Sequence, residues 1–251
     1  MATGYVVNSK NLYDIADAIR NKNGESTLYR PQDMADAINN IGEGLPLDSI
    51  VESIINGSIT TLSNSDIITI SNNALRNLEN LESINLPNCV SIDYLAFTDC
   101  LNLEYITLSS CTDLSATSIF ENCTSLTNIT LPLVTIIGSS VFQNCTSLTE
   151  IDLPNVITIG TSAFEDCSSL TTINLPSCQT IGGLVFYDCA LLTSITLGWT
   201  GGVVSIEPFT TFLNTPLNNG NGHIYVPANL VDTYKADSNW SKFANLITSI
   251  T

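Results

Sequence analysis

Apolar and polar positions along the middle of the chain follow one pattern that recurs every 22 or 23 residues. Each copy opens with a leucine, which is followed by an isoleucine and then by a second leucine in the order Leu-x-x-Ile-x-Leu. The opening leucines are Leu81, Leu103, Leu126, Leu148, Leu170 and Leu192. Because apolar and polar residues alternate, each copy predicts a short strand with one buried face. A fixed period of this length predicts a repeat architecture.

The copy at residues 148–169 shows how one unit is expected to fold. Pro154 ends the strand because proline cannot donate to a backbone ladder. Gly160 marks a turn, and Phe164 belongs to an apolar return side. A less regular copy precedes the others at residues 59–78. No unit can bury its own apolar face, so each must pack against the next, which predicts a repeat solenoid of parallel short strands.

The full motif, Leu-x-x-Ile-x-Leu-Pro…Ile-Gly-x-x-Ala-Phe-x-x-Cys, resembles the BspA-type leucine-rich repeat over residues 59–216. The resemblance implies a right-handed, curved solenoid used for adhesion and for protein binding on bacterial cell surfaces. It implies no shared active site. This chain departs from the motif at Ser109-Ser110, where the proline is missing, and at residues 198–202, where the pattern is interrupted.

The N-terminal residues 1–44 are predicted to form a separate two-helix module, followed by the solenoid at 45–222. Two amphipathic segments lie within residues 9–41 and are separated by Asn23-Gly24. Their sequence, Leu-x-x-Ile-Ala-Asp-Ala-Ile-Arg-x-Lys…Met-Ala-x-Ala-Ile, is similar to a helical module of phage and prophage tail-associated proteins. That resemblance implies a docking or spacer element. A plain helical piece that covers the first repeat is the alternative.

A C-terminal strand-helix cap is predicted at residues 223–251. Residues 224–227 suggest a last strand, and residues 228–236 suggest a short helix. Apolar residues within 239–250 then follow near-helical spacing. We expect this segment to cover the final repeat, because a solenoid exposes an apolar cross-section at each end.

The chain is acidic, with a formal net charge of −17, and residues 77–234 contain neither Lys nor Arg. Such a surface repels phosphate, so nucleic acid is not an expected partner. The acidity either keeps a Thr-rich surface soluble or selects a basic or cation-bridged partner. No segment has the length for membrane insertion, and no signal peptide is visible. The expected location is therefore the virion or the cell surface by a route that the sequence does not encode, and otherwise the cytoplasm.

The eight cysteines occupy two repeat positions, one of which is shared with Val134 and Val156. Exchange with valine indicates a small buried apolar role, and stacked repeats hold cysteines too far apart for a disulfide. No Cys-x-x-Cys pair suggests zinc. We therefore expect free core thiols, no metal and no cofactor.

No catalytic constellation is found, and the chain is not expected to be an enzyme. Glu150 and Asp152 could imitate a glycosidase carboxylate pair, but uncharged polar residues occupy the equivalent positions in neighbouring repeats. His223, the only histidine, is placed in a turn before the last strand, where a turn or cap role is expected.

The candidate ligand surface is the outward face of the predicted strands, with Tyr105 as its aromatic anchor. Its residues are Ser83, Asn85, Tyr105, Thr107, Asn128, Thr130, Glu150, Asp152, Thr172, Asn174, Ser194 and Thr196. A merely solvated sheet is the alternative, and the irregular segments 198–202 and 214–222 are secondary candidates.

The sequence thus favours a non-catalytic recognition protein that binds a protein or glycan on a cell surface. Association with a phage or prophage tail is the leading setting, and a BspA-type bacterial adhesin is the alternative. The sequence makes no prediction about the oligomeric state.

Overall fold

A computed structural model describes the backbone of residues 5–7 and the residues 53–207 and 210–250. Short strands make up the repeats. In chain order they are β1 (Tyr5–Val7), β2 (Thr61–Ser63), β3 (Ile67–Ile70), β4 (Ser83–Asn85), β5 (Ser91–Ile92), β6 (Tyr105–Thr107), β7 (Asp113–Leu114), β8 (Asn128–Thr130), β9 (Ile136–Ile137), β10 (Thr158–Ile159), β11 (Thr172–Leu175), β12 (Thr180–Ile181), β13 (Ser194–Leu197), β14 (Ser205–Ile206), β15 (His223–Val226) and β16 (Ile247–Ser249).

Helical segments in the described part of the C-terminal region are few and short. They are three 3-10 helices, Leu217–Asn219, Ala228–Leu230 and Ser241–Phe243, and the α-helix α1 (Val231–Ala236). The helix predicted at residues 228–236 is thereby confirmed, with its first turn in 3-10 form. None of the helices in the described ranges is long and apolar enough to cross a membrane.

Two parallel sheets run along the molecule, and a turn of the chain contributes one segment to each sheet. Sheet A has eight strands in the order β1-β3-β5-β7-β9-β10-β12-β14. Sheet B consists of β2-β4-β6-β8 and β11-β13-β15-β16, which Asp152 joins by bridging Thr130 and Asn174. The predicted parallel-strand solenoid is confirmed. The strands β2 and β3 lie in the less regular copy at 59–78, β15 lies at the predicted last strand, and β16 is one strand more than predicted.

Equivalent side chains stack in columns, as the repeat predicts. Ile84 pairs with Ile106, and Ile106 with Ile129, so the apolar residue of each strand lies against its counterpart in the next. A third side without strands carries the Phe position and the longer of the two Cys columns between sheet A and the next strand of sheet B. The core is therefore one elongated column of rungs, each completed by its neighbours.

A column of phenylalanine rings forms the centre of the third side. Neighbouring rings lie 5.4–5.9 Å apart, with interplanar angles from 4° to 19°. The rings belong to Phe97, Phe120, Phe142, Phe164, Phe186 and Phe212. Phe212 then meets Phe243 edge-on at 5.4 Å, so the C-terminal segment ends the column with rings in a different orientation.

The third side turns sharply through left-handed residues that occur in pairs four positions apart, such as Ser140 (φ 55°) and Asn144 (φ 60°). The second position is Asn or Asp in every turn from Asn77 to Asn214, because these residues tolerate this backbone region. Their side chains also link turns to one another. Asn144 donates to Asn122 over 2.8 Å, and Asn122 donates to Asp99 over 2.7 Å.

Two local insertions explain the irregular spacings of the repeat as far as β14, and further residues are added before β15, because Ser194 pairs with His223. The 23-residue period comes from one extra residue within 115–117. Leu114 pairs with Ile137, which is 23 positions later, although the other neighbouring pairs of this part of sheet A are 22 apart. Phe120 already stacks on Phe97 from 23 positions before it, so the extra residue lies between Leu114 and Phe120. A larger insertion follows Trp199, since Ile181 pairs with Ile206 although sheet B keeps its regular register before that point. Both insertions lie at corners, where the ladders are not interrupted.

The C-terminal end differs from the prediction for residues 239–250. Instead of continuing as a helix, the chain forms β16, which pairs in parallel with β15. A helix would leave the backbone groups of β15 unpaired, whereas an added strand satisfies them. The cap is fixed to the last turns by Trp240, whose indole N–H donates to the Val204 carbonyl over 2.7 Å, and by Tyr234, whose hydroxyl accepts from the Val204 N–H over 3.0 Å.

The two predicted helical segments within residues 9–41 lie outside the described residues, and the division into domains stays a prediction. The backbone of β1 pairs in parallel with β3, which the sequence did not predict.

We expect Phe142→Ala to lower the free energy of unfolding by about 3–5 kcal/mol, because it removes a buried ring that stacks on both sides. Phe142→Leu should cost less, and Leu191→Ala, at a side chain that is 54% exposed, should stay within about 0.5 kcal/mol. Urea unfolding followed by circular dichroism measures all three. Equal losses at the two positions would contradict the columnar core.

A neighbouring pair of glycines tests the close approach of turns. A Cβ on Gly182 would lie 2.8 Å from the backbone nitrogen of Thr161, whereas on Gly183 its nearest neighbour would be the Thr210 hydroxyl at 3.3 Å. Gly182→Ala should therefore destabilise by roughly 1–3 kcal/mol, and Gly183→Ala by no more than about 0.5 kcal/mol. Thermal and urea unfolding of both variants provide the comparison. If Gly182→Ala proves as stable as Gly183→Ala, this corner is not tightly packed.

Candidate functional site

The structure places all twelve residues of the candidate ligand surface on the outward face of sheet B. In β6, for example, Tyr105 is 51% exposed while the neighbouring Ile106 is 2% exposed. None of the twelve is buried. They form two columns, because Ser83 pairs with Tyr105 and Asn85 with Thr107, and this register continues along the sheet. Their role in binding remains a prediction.

The same face continues beyond the twelve residues. His223 pairs with Ser194, and Tyr225 pairs with Thr196, so both belong to the outward columns. Their rings stack at 5.7 Å with an angle of 28°. The prediction of a turn at His223 was wrong, because this residue begins β15. The alternation of buried Ile224 and Val226 is the sequence signal that indicates an outward His223 and Tyr225.

The face is polar and acidic. The carboxylates of Glu150 and Asp152 lie exposed at its middle, and exposed Glu82 and Glu104 precede its columns at one border. Residues 77–234 contain no Lys or Arg to neutralise them. Arg76 pairs with Asp99 on the third side at 2.8 Å and so does not serve this face. The electrostatics favour partners with basic or hydrogen-bond-donating surfaces.

An open groove of about 540 Å³ lies at the corner where the chain passes from sheet B to sheet A. Two columns from three consecutive turns line it, one running from Leu133 to Ser177 and the other from Thr135 to Gln179. The next turn closes one side with Trp199, which directly precedes the insertion described above. The groove therefore includes part of segment 198–202, a secondary candidate from the sequence.

The repeat motif matches a family model, "BspA type Leucine rich repeat region", in six copies at residues 53–154 and 115–225. The chain belongs to this family. The BspA-type repeats thus cover the strands of both sheets from β2 to β15, which includes the outward face and the groove.

Three solved structures of bacterial leucine-rich repeat proteins are similar to this BspA-type chain. The Treponema pallidum protein TpLRR has 26% identity and a TM-score of 0.53, with 60% of this chain and 72% of that chain covered. A Bacteroides ovatus repeat protein has 29% identity, a TM-score of 0.43 and coverages of 56% and 41%. A leucine-rich cell surface protein of Faecalibacterium prausnitzii has 24% identity, a TM-score of 0.37 and coverages of 59% and 56%. The chain thus spans about half the length of the latter two. A comparison with curated proteins gave no match.

The cysteines lie in the two predicted columns, and all eight are buried and free of disulfides. Those of the longer column also make hydrogen bonds between turns. Cys145 donates from its thiol to the Phe120 carbonyl at 3.4 Å, and Cys167 donates to the Phe142 carbonyl at 3.1 Å. The thiol therefore does more than fill space, since it donates a second hydrogen bond to a carbonyl of the preceding turn that already accepts a backbone N–H. The sequence predicted burial but gave no sign of this bond.

Burial keeps these thiols protonated. Desolvation raises the pKa of Cys100 and of Cys178 to about 12, and that of Cys111 to about 11. The pKa of Cys145 is raised well above its ordinary value by burial and by the neighbouring Cys167. A thiolate is the form that attacks or binds metal, so these side chains are chemically inert in the folded protein. Residues 53–207 and 210–250 contain no group of three His, Cys, Asp or Glu arranged to hold a metal ion.

We expect the free energy of unfolding to fall as pH rises from about 9 towards 12. Unfolded thiols ionise near 9.0, whereas the folded protein holds the pKa of Cys100 at about 12, so the unfolded state binds fewer protons in this window. The loss should reach about 1 kcal/mol per buried thiol at pH 10. Urea titrations between pH 8 and pH 10 measure it.

Cys145→Val supplies the control, because valine is a small apolar side chain without a thiol to ionise, and it is already buried at Val134 and Val156 in the shorter cysteine column. This variant should start from a lower stability at pH 8, having lost the bond to Phe120, but should lose less on going to pH 10. An unchanged slope would contradict the assigned role of burial.

Proposed function

We propose that this BspA-type protein is a non-catalytic recognition protein that binds a protein or glycan through the outward face of sheet B. The supporting observation is the unbroken register of outward side chains from β2 to β16, bridged at Asp152. Parallel pairing on both sides fixes the backbone under this face. A partner therefore meets side chains that are already positioned, which lowers the ordering cost of binding.

Aromatic side chains at two places on the face supply the anchors. Tyr105 lies towards the N-terminal end, and the stacked His223 and Tyr225 lie towards the C-terminal end. Tyrosine loses little conformational entropy on binding and is enriched at interface hot spots. The carboxylates of Glu150 and Asp152 between these anchors add a preference for partners with exposed donors or positive charge.

The proposed setting is a phage or prophage tail, with a bacterial cell-surface adhesin as the second candidate. The first rests on the sequence resemblance of residues 9–41, and the second on membership of the BspA-type family. Either setting corresponds to a protein on a virion or a cell surface. Neighbouring tail-assembly genes would support the first, and export or anchoring genes the second.

Binding of the full-length chain to an array of bacterial and host surface proteins and glycans tests the proposal. We expect Tyr105→Ala and Tyr225→Ala each to weaken the strongest interaction by about tenfold or more, as loss of an interface aromatic does. Tyr94→Ala is the matched control, because Tyr94 is 45% exposed but follows β5 of sheet A. If Tyr94→Ala weakens binding as much, or if neither face variant does, the face is not the binding surface.

A further inference from the structure

The groove between the two sheets has no part in the proposed recognition by the sheet B face. Its lining combines three features: an indole beside an apolar floor, several hydrogen-bonding side chains without internal partners, and a lack of charge. From these features we infer that the groove is a second, independent site, which binds an uncharged saccharide.

The position of Trp199 is set by the repeat and by one glycine. Trp199 follows Gly198, which lies against Pro176 of the preceding turn, so the indole occupies the next step of the column that contains Ser177. A Cβ on Gly201 would lie 2.2 Å from Cζ2 of the indole, so only glycine allows the ring to lie where it does. The insertion therefore holds the indole against the backbone at the end of the groove.

The indole remains partly exposed, in contrast to Trp240, which is fully buried in the cap. Within the described ranges the indole N–H of Trp199 makes no hydrogen bond, whereas that of Trp240 donates to Val204. An aromatic face carries partial negative charge and attracts the partly positive C–H groups of a sugar ring. Leu133 and Ile157, both exposed, extend the apolar floor away from the indole.

The polar side chains of the groove divide into fixed and free groups. Asn155 donates to the Pro132 carbonyl over 2.7 Å, and Ser177 donates to the Pro154 carbonyl over 2.9 Å. These two side chains are therefore fixed by hydrogen bonds to the preceding turn. The side chain of Gln179, by contrast, has no hydrogen-bond partner among the described residues. An amide offers both donors and an acceptor, which suits the paired hydroxyls of a saccharide.

Charge decides between classes of ligand. None of the ten residues that line the groove is charged, although the whole chain has a formal net charge of −17. An anionic ligand would gain no ion pair and would meet a repulsive field, and a cation would find no carboxylate in the lining. A purely apolar ligand would leave Gln179 and the indole N–H desolvated and unpaired. The volume of about 540 Å³ lies within the usual range for small-molecule sites.

The test uses the full chain and a panel of uncharged oligosaccharides built from glucose, mannose, galactose and N-acetylglucosamine. Sialylated and uronic-acid oligosaccharides of the same length serve as charged counterparts. The chain has two tryptophans, so the side-chain indole region of a ¹H–¹⁵N spectrum reports on Trp199 and Trp240 separately. We expect at least one uncharged oligosaccharide to shift the Trp199 signal in a saturable manner, with the Trp240 signal unchanged.

Variants then locate the site. Trp199→Ala should weaken the affinity by about tenfold or more, and Gln179→Ala by about threefold to tenfold, whereas Trp199→Phe should keep part of it. Tyr94→Ala should leave the affinity unchanged, because Tyr94 follows β5 and is not among the residues that line the groove. Circular dichroism confirms that each variant is folded. A Trp199→Ala variant that loses its fold leaves the decision to Gln179→Ala and Trp199→Phe.

Three results would overturn the inference: no uncharged oligosaccharide shifts the Trp199 signal at millimolar concentration, a charged oligosaccharide binds as tightly as its uncharged counterpart, or Gln179→Ala binds as well as the parent chain. Failure of the sheet B proposal would appear separately, as array binding that is insensitive to Tyr105→Ala and Tyr225→Ala.

Discussion

Each turn of this protein completes its hydrophobic core only with the side chains of the adjacent turns. A single rung presents its leucine, isoleucine, phenylalanine and cysteine to a flat cross-section, and neighbouring rungs cover that cross-section on both sides. On the third side, stacked phenylalanine rings 5.4–5.9 Å apart continue this packing from turn to turn. Both sheets, the close backbone approach at Gly182 and the hydrogen bonds that link Asn144, Asn122 and Asp99 follow the same stacking of turns.

The outward surface follows from the same requirement. The inward residues of sheet B must stay in register with those of the neighbouring turns. Because inward and outward residues alternate along each strand, the outward residues are then in register as well. The face is thus free to vary in chemistry while its geometry stays constant. This arrangement explains why the exposed carboxylates of Glu150 and Asp152 carry no cost to the core.

Most of the fold can be predicted from the sequence, because periodic spacing places Leu148, Ile151 and Phe164 in columns without any knowledge of coordinates. The same spacing correctly places the cysteines and the twelve outward residues. It fails where the period is broken. The strand β16 forms because the backbone groups of β15 require a hydrogen-bonding partner on their open side. The apolar spacing within 239–250 does not indicate this requirement. His223 was misplaced because Gly222 suggests a turn more strongly than Ile224 and Val226 suggest a strand. The groove depends on how an insertion folds back on Gly201, which spacing alone does not specify.

The contact of Phe212 with Trp240 and Phe243 also has a consequence for how such a protein can change in length. The cap contacts the final turns and its own strand, so its fit depends on the last rung and not on how many rungs precede it. Duplication or deletion of a whole 22-residue unit in the interior would leave these contacts intact. The length of the solenoid can therefore change by whole repeats under one and the same C-terminal cap.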